Sequence, residues 1–354
     1  MNTPAQYPPA VSSAGLPGGN ASGALPVITA AAVSQSAFEL LPPDLGKWRE
    51  GNEDVEGVWH FDSGLPGKHV MLTALVHGNE LCGAWALKGL LEAELRPQHG
   101  RLTLAFCNLE AFDRFNPANP DAARFVDEDL NRQWSDARIN VGDSSERRRA
   151  AQLRPYVARA DWLLDIHSMH EPCAPLLLIG THSRNLALAR ALHSPEHVVM
   201  DTGHTDGVRM RDYGRFGLPD GDAPGTRSLL IECGFHGDPA SRAVAQDQCV
   251  RFLSLSRAIE EDELESLLPG WKLPDAPRQW VLEVSGAVVA KSDAFRFNAP
   301  YTGLEVIEKA GTVIGNNDGQ PVTTPHDDCV LVMPSARHAR KGVTVVRFAR
   351  RRPL

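Results

Sequence analysis

The chain has 354 residues, a formal net charge of −8 at pH 7, 42% apolar residues and 23% charged ones. That length exceeds one average domain and predicts two; the apolar share supports real cores, and the acidic balance disfavours nucleic acid or an anionic membrane as partner. No run approaches the about 18 uninterrupted apolar residues of a membrane-spanning helix.

In chain order, residues 1–37 are rich in Pro, Ala, Gly and Ser and carry no charge. They lack the basic start and apolar centre of a signal peptide and read as a disordered or loosely ordered N-terminal segment. Residues 38–275 alternate strand-like and helix-like patterns. The run Val70–Val76 is apolar enough for a central strand of a parallel sheet and leads into His77-Gly78-Asn79-Glu80 and an amphipathic stretch, Leu81–Leu95. Leu102–Cys107 runs into Asn108 and a polar loop with Arg124 and Asp127-Glu128-Asp129-Leu130-Asn131-Arg132. Asp161–Ile166 is followed by His167, and Arg227–Ile231 by Glu232. Further helices are expected at Ser145–Arg159, Arg184–Leu192 and Pro239–Leu267. This alternation predicts an α/β domain, a mostly parallel sheet with helices on both faces.

A Pro-punctuated linker, Leu268–Pro277, precedes short β-like runs at Gln279–Ala290, Ala294–Phe297, Leu304–Ile307, Val313–Ile314, Cys329–Met333 and Gly342–Phe348. Residues 276–354 are therefore expected to form a small C-terminal all-β domain. The basic clusters Glu146–Arg149 and Arg347–Arg352 read as a solvated helix face and a frayed or strand-ending terminus. Six cysteines without paired spacing point to reduced thiols in a cytoplasmic protein.

Imidazole and carboxylate without thiolate, as in His77 and Glu80, suit a catalytic zinc with a position left open for water. A four-residue motif is short, and a histidine after a strand is more often a hydrogen-bonded loop residue. The other runs change the balance: if the sheet is parallel, each strand delivers a reactive residue to one edge, where open α/β sheets place ligands. His167 is then the natural third ligand. Asp165 shares its face of the strand and is placed to orient its imidazole. Competing readings are a buried Glu232–arginine pair and surface ion pairs for Arg124, Asn131 and Arg132. His170 is set aside, because three ligands complete the site.

His77-Gly78-Asn79-Glu80, then Arg124 with Asp129-Leu130-Asn131-Arg132, Asp165-Ile166-His167 and Ile231-Glu232-Cys233-Gly234 resemble the succinylglutamate desuccinylase/aspartoacylase family, a branch of the zinc carboxypeptidase-like fold. The likeness spans about residues 65–240. It implies one Zn2+ per chain held by His77, Glu80 and His167, with Arg124 polarising the scissile carbonyl and Asn131 and Arg132 gripping a substrate carboxylate. It also implies that Glu232 moves protons and that a tyrosine of the C-terminal domain lines the pocket; Tyr301 is the candidate and Tyr213 its rival.

The implied substrate is a small N-acyl amino acid, and the implied reaction is hydrolysis of its amide. A homo-oligomer is compatible with this reading. The alternatives are a metallocarboxypeptidase acting on peptides, a non-catalytic zinc-binding relative, and a peptidoglycan amidase, which the want of an export signal disfavours. Asp222 stands where aspartoacylases carry an arginine for an acidic side chain, with Arg215 and Arg227 as imperfect substitutes, so the acyl group and amine stay open.

Overall fold

The computed structural model describes residues 38–354; the segment 1–37 lies outside the described residues. An edge strand β1 (Val58–Asp62) precedes β2 (His69–Ala74), helix α1 (Leu81–Glu92), β3 (Arg101–Phe106) and the short helices α2 (Leu109–Phe112) and α3 (Asp136–Ile139). Then come α4 (Ser145–Arg159), β4 (Trp162–Met169), β5 (Leu176–Leu178), α5 (Ser183–Leu192), β6 (His197–Met200), β7 (Arg227–Phe235), α6 (Ala240–Ser256) and α7 (Glu261–Leu267). The rest is β: β8 (Trp280–Val289), β9 (Arg296–Phe297), β10 (Val306–Ile307), β11 (Val313–Asn317), β12 (Gln320–Thr323), β13 (Cys329–Val332) and β14 (Thr344–Pro353).

The main sheet runs β1-β3-β2-β4-β7-β5-β6-β8-β14-β13-β10, and β12-β11-β9 make a second, three-stranded sheet. β3, β2, β4 and β7 are mutually parallel, so their carboxyl ends share one edge, as the sequence requires. Alternate residues of β2 enter opposite cores. Val70, Leu72 and Ala74 join α1 and α6, whereas Met71 packs with Ala150, Leu153 and Val157 of α4. With both faces covered, every residue of β2 and β4 is buried, which is why these strands read as largely apolar runs.

The C-terminal segment is all β beyond the linker, as expected. Its strands β8, β14, β13 and β10 continue the main sheet, because β8 pairs in parallel with β6 and with β14 on its other side. The expected helix Pro239–Leu267 divides in two at Arg257, whose positive φ of 62° stops α6. β14 runs through the arginine-rich tail to Pro353, and β12 follows a turn at Asp318-Gly319, both at positive φ. The Glu146–Arg149 cluster is not a solvated face: Glu146 is fully buried, and Arg149 donates to the backbone oxygens of Glu56 and Phe106. Among the described residues no helix is long and apolar enough to cross a membrane, and all six cysteines are free.

His69, at the start of β2, is buried with Nε2 2.7 Å from Thr103 Oγ1. Burial is the main cause of a pKa lowered to about 4. The fold holds this imidazole neutral, while the unfolded chain takes up a proton below its ordinary value near 6.5. Stability is thus complete above that pH and is lost as pH falls toward 4, by on the order of 3 kcal/mol. Urea unfolding of wild type and His69→Gln at pH 7 and 4.5 should show the larger acid loss in wild type. Equal losses would mean that His69 does not contribute.

Candidate metal centre

β2 ends in a sharp turn. Leu75 sits at φ 56°, and Gly78 passes so close to the backbone of Ala111, Phe112 and Ala123 that a Cβ would lie 2.4–2.5 Å from their atoms. Glu80 occupies the N-cap position of α1 without capping it through its side chain. Gly83 lets α1 approach the sheet, where a Cβ would lie 2.8 Å from that of Ala74 and 3.0 Å from Ile166 Cγ2. The Glu80 carboxylate is thereby carried to the end of β4.

There it lies between two imidazoles. His77 Nδ1 is 2.7 Å from Glu80 Oε1, and His167 Nδ1 is 2.7 Å from Oε2. The rings stand 5.1 Å apart, and all three residues are at most 3% exposed. His77, Glu80 and His167 are thus brought together, each offering an atom that could hold a metal ion. The far nitrogens face carboxylates too: His77 Nε2 lies 2.9 Å from Asp129 Oδ1, and His167 Nε2 lies 2.9 Å from Asp165 Oδ2 without hydrogen-bonding alignment. Two N/O imidazole–carboxylate arms backed by further carboxylates suit a divalent ion such as zinc. His167 belongs to β4 itself rather than to a loop beyond it.

Burial alone would raise the Glu80 carboxyl; the charges of His77 and His167 outweigh it and hold it well below the ordinary range. Burial would lower His167, yet Asp165 and Glu80 raise it well above the ordinary value. Glu232 is the Cα partner of His167 across β4 and β7. Burial and the Glu80 charge raise its pKa well above normal, and Oε2 has no hydrogen-bond partner.

Arg124 reaches the same cluster, with Nη1 3.3 Å from Glu80 Oε1 and Nη2 3.3 Å from Asp129 Oδ2. The loop bearing Arg124 and Asp129 is tied to α4 by Glu146. Its carboxylate accepts the backbone N–H groups of Val126 (2.6 Å), Asp127 (3.0 Å) and Glu128 (3.2 Å). Neither Asp129 nor Glu146 stands out in the sequence, because each lies in a dense string of charge.

Asn131 is buried, and its Oδ1 accepts from the Met210 N–H at 2.9 Å. Arg132 bonds Asp206 Oδ1 at 3.1 Å and touches His204 Nδ1 at 3.2 Å. Arg347 of β14 meets the same imidazole at 3.0 Å; burial and these two guanidinium groups lower the His204 pKa. Tyr301 bonds Asn298 Oδ1 and packs on Phe297, and Tyr213 bonds Asp136, so neither hydroxyl is engaged with the cluster. Arg215 and Arg227 donate to Ala160 and Pro224 carbonyls. A cavity of about 620 Å³ lined by Leu192, Arg251, Leu264 and Leu273 contains none of the candidate residues.

Residues 66–219 match the family described as the succinylglutamate desuccinylase/aspartoacylase catalytic domain. Across that stretch the chain is similar to this family. The matched stretch holds His77, Glu80, Arg124, Asn131, Arg132 and His167; Glu232 lies beyond it and joins them through the β4–β7 pairing. No curated protein matches the sequence. Solved structures share the fold. A succinylglutamate desuccinylase/aspartoacylase from Rhodobacter sphaeroides is 20% identical over 81% of this chain and 86% of its own, with a TM-score of 0.55. Succinylglutamate desuccinylase from Vibrio parahaemolyticus is 16% identical over 84% and 86% (TM-score 0.58), and murine aminoacylase 3 is 18% identical over 82% and 97% (TM-score 0.51).

Asp129 supplies a test of the family-like centre. Asp129→Ala, which leaves all three metal-facing side chains in place, should weaken zinc binding about 10- to 100-fold, read by competition with a chromophoric chelator. Unchanged affinity would show that Asp129 does not support His77.

Proposed function

We propose that this protein is a zinc-dependent hydrolase that cleaves the amide bond of a small N-acyl amino acid into a carboxylate and an amine. The observation that carries the reading is the convergence of both Nδ1 atoms on the two oxygens of buried Glu80, with the unpartnered carboxyl of Glu232 in register beside His167. The names of the family and its solved members support the substrate class.

His77, Glu80 and His167 would hold the ion, which supplies Lewis acidity and makes water a nucleophile at neutral pH. Glu232 accepts the proton of the attacking water and returns it to the departing nitrogen as the C–N bond breaks, base and then acid. Its place in register beside His167, with Oε2 free of any hydrogen-bond partner, suits that double duty. Arg124 presents its guanidinium to the carbonyl oxygen as negative charge develops there. Asn131 and Arg132 provide an amide and a planar fork for the substrate carboxylate. The lack of an aligned arginine in the place of Asp222, with Arg215 and Arg227 bound elsewhere, leaves the acyl group unassigned.

Hydrolysis of a panel of N-acyl amino acids, with short peptides as the rival class, should favour the former and stop on chelation. Glu232→Gln should lower kcat by about 100-fold or more with bound metal unchanged. Turnover of peptides alone would replace the deacylase reading with a carboxypeptidase, and undiminished activity in Glu232→Gln would remove the proton-shuttle role.

A further inference from the structure

The imidazole beside Arg124 comes from a residue that the proposed reaction leaves unused. His170 Nε2 lies 3.1 Å from Arg124 Nη1. Behind it, His170 Nδ1 is 3.3 Å from Asp121 Oδ1, without hydrogen-bonding alignment. The C-terminal segment after β13 closes on the same carboxylate: Arg337 Nη1 is 3.4 Å and His338 Nε2 3.5 Å from Asp121 Oδ2. The His170 ring is fixed edge-on between those of His236 and His338, with centroids at 4.7 and 5.0 Å.

Asp121, His170 and His338 also form a group whose atoms could hold a metal ion. Arg124 decides against that use. A guanidinium has donors only, so the nitrogen that meets it must offer its lone pair, and the neutral ring then carries its proton on Nδ1, facing Asp121. His170 has no lone pair left for an ion. The neighbouring positive charge of Arg337 disfavours one as well.

We propose that His170 is a positioning residue for Arg124. His170 holds one arm of the guanidinium while Asp129 holds the other; the Asp121 carboxylate stands behind the imidazole, and the C-terminal segment closes on it through Arg337 and His338. Glu80 and His77 also contact Arg124, His77 through Nε2 at 3.1 Å from Nη2, but both residues are committed to the metal in the proposed function, on which this role rests. His170 and Asp129 then fix the direction in which Arg124 meets the carbonyl. The segment between β13 and β14 thereby reaches Arg124 through Asp121 and His170.

The test combines kinetics with NMR of arginine-labelled protein, the Arg124 signals being identified by their loss in Arg124→Lys. Wild type should show hindered rotation of the Arg124 guanidinium, with separate Nη resonances. In His170→Ala these should merge, and kcat should fall about 10- to 100-fold with KM within about twofold and bound metal unchanged. His170→Gln, whose amide oxygen accepts the same N–H, should restore part of both signals. Asp121→Asn should give a smaller loss and serves if His170→Ala does not fold. Unchanged kcat or unchanged Arg124 resonances in these variants would overturn the proposal. If no acylated substrate is turned over by wild type, the hydrolase reading falls, and the resonances alone decide whether His170 holds Arg124.

Discussion

The buried carboxylate of Glu80, clasped by two imidazoles at 2.7 Å, is the interaction around which the described part of the chain is arranged. Burying a charge is costly unless it is compensated. Here Glu80, Asp165 and Glu232 lie within the protein and Asp129 partly so. Arg124 touches two of them. The other groups respond to this: Asp165 and Glu80 push His167 toward its protonated form, and burial together with the Glu80 charge pushes Glu232 toward its neutral one. A divalent ion between His77, Glu80 and His167 would offset the Glu80 charge, and at His167 it would take the place of the proton.

The fold exists to bring that cluster to one edge. Four parallel strands with apolar residues on both faces give a rigid platform, and the turn after β2 lets a helix N-terminus carry Glu80 across to β4. The close approaches at Gly78 and Gly83 have the same consequence. The loop with Arg124 and Asp129 lacks regular structure and is held instead by the three N–H groups gathered on Glu146. Ordering this loop through a buried carboxylate leaves Arg124 and Asp129 to reach the cluster.

Much of this was legible in the residues themselves. Largely apolar runs leading into His77, His167 and Glu232 pointed to parallel strands, and parallel strands imply a shared edge. What could not be read was anything set by contacts between distant segments. Asp129 looked like one charge in an acidic string until its place beneath His77 was known. His170 looked superfluous because its partners, Arg124, Asp121 and His338, come from three other regions. The extent of β14 was hidden by its arginines: Arg350, Arg351 and Arg352 lie exposed at its far end, while Arg347 turns inward to His204 and Asp201. Helix ends likewise depended on single φ values, as at Arg257.

X-ray fluorescence and anomalous diffraction at the zinc edge, on crystals of protein purified without added metal and then given one equivalent of zinc, test the central claim most directly. The account predicts one strong anomalous peak per chain between His77 Nδ1, His167 Nδ1 and the Glu80 carboxylate, absent from crystals of His167→Ala. A well-ordered wild-type site with no peak there, or a peak held by other residues, would contradict it.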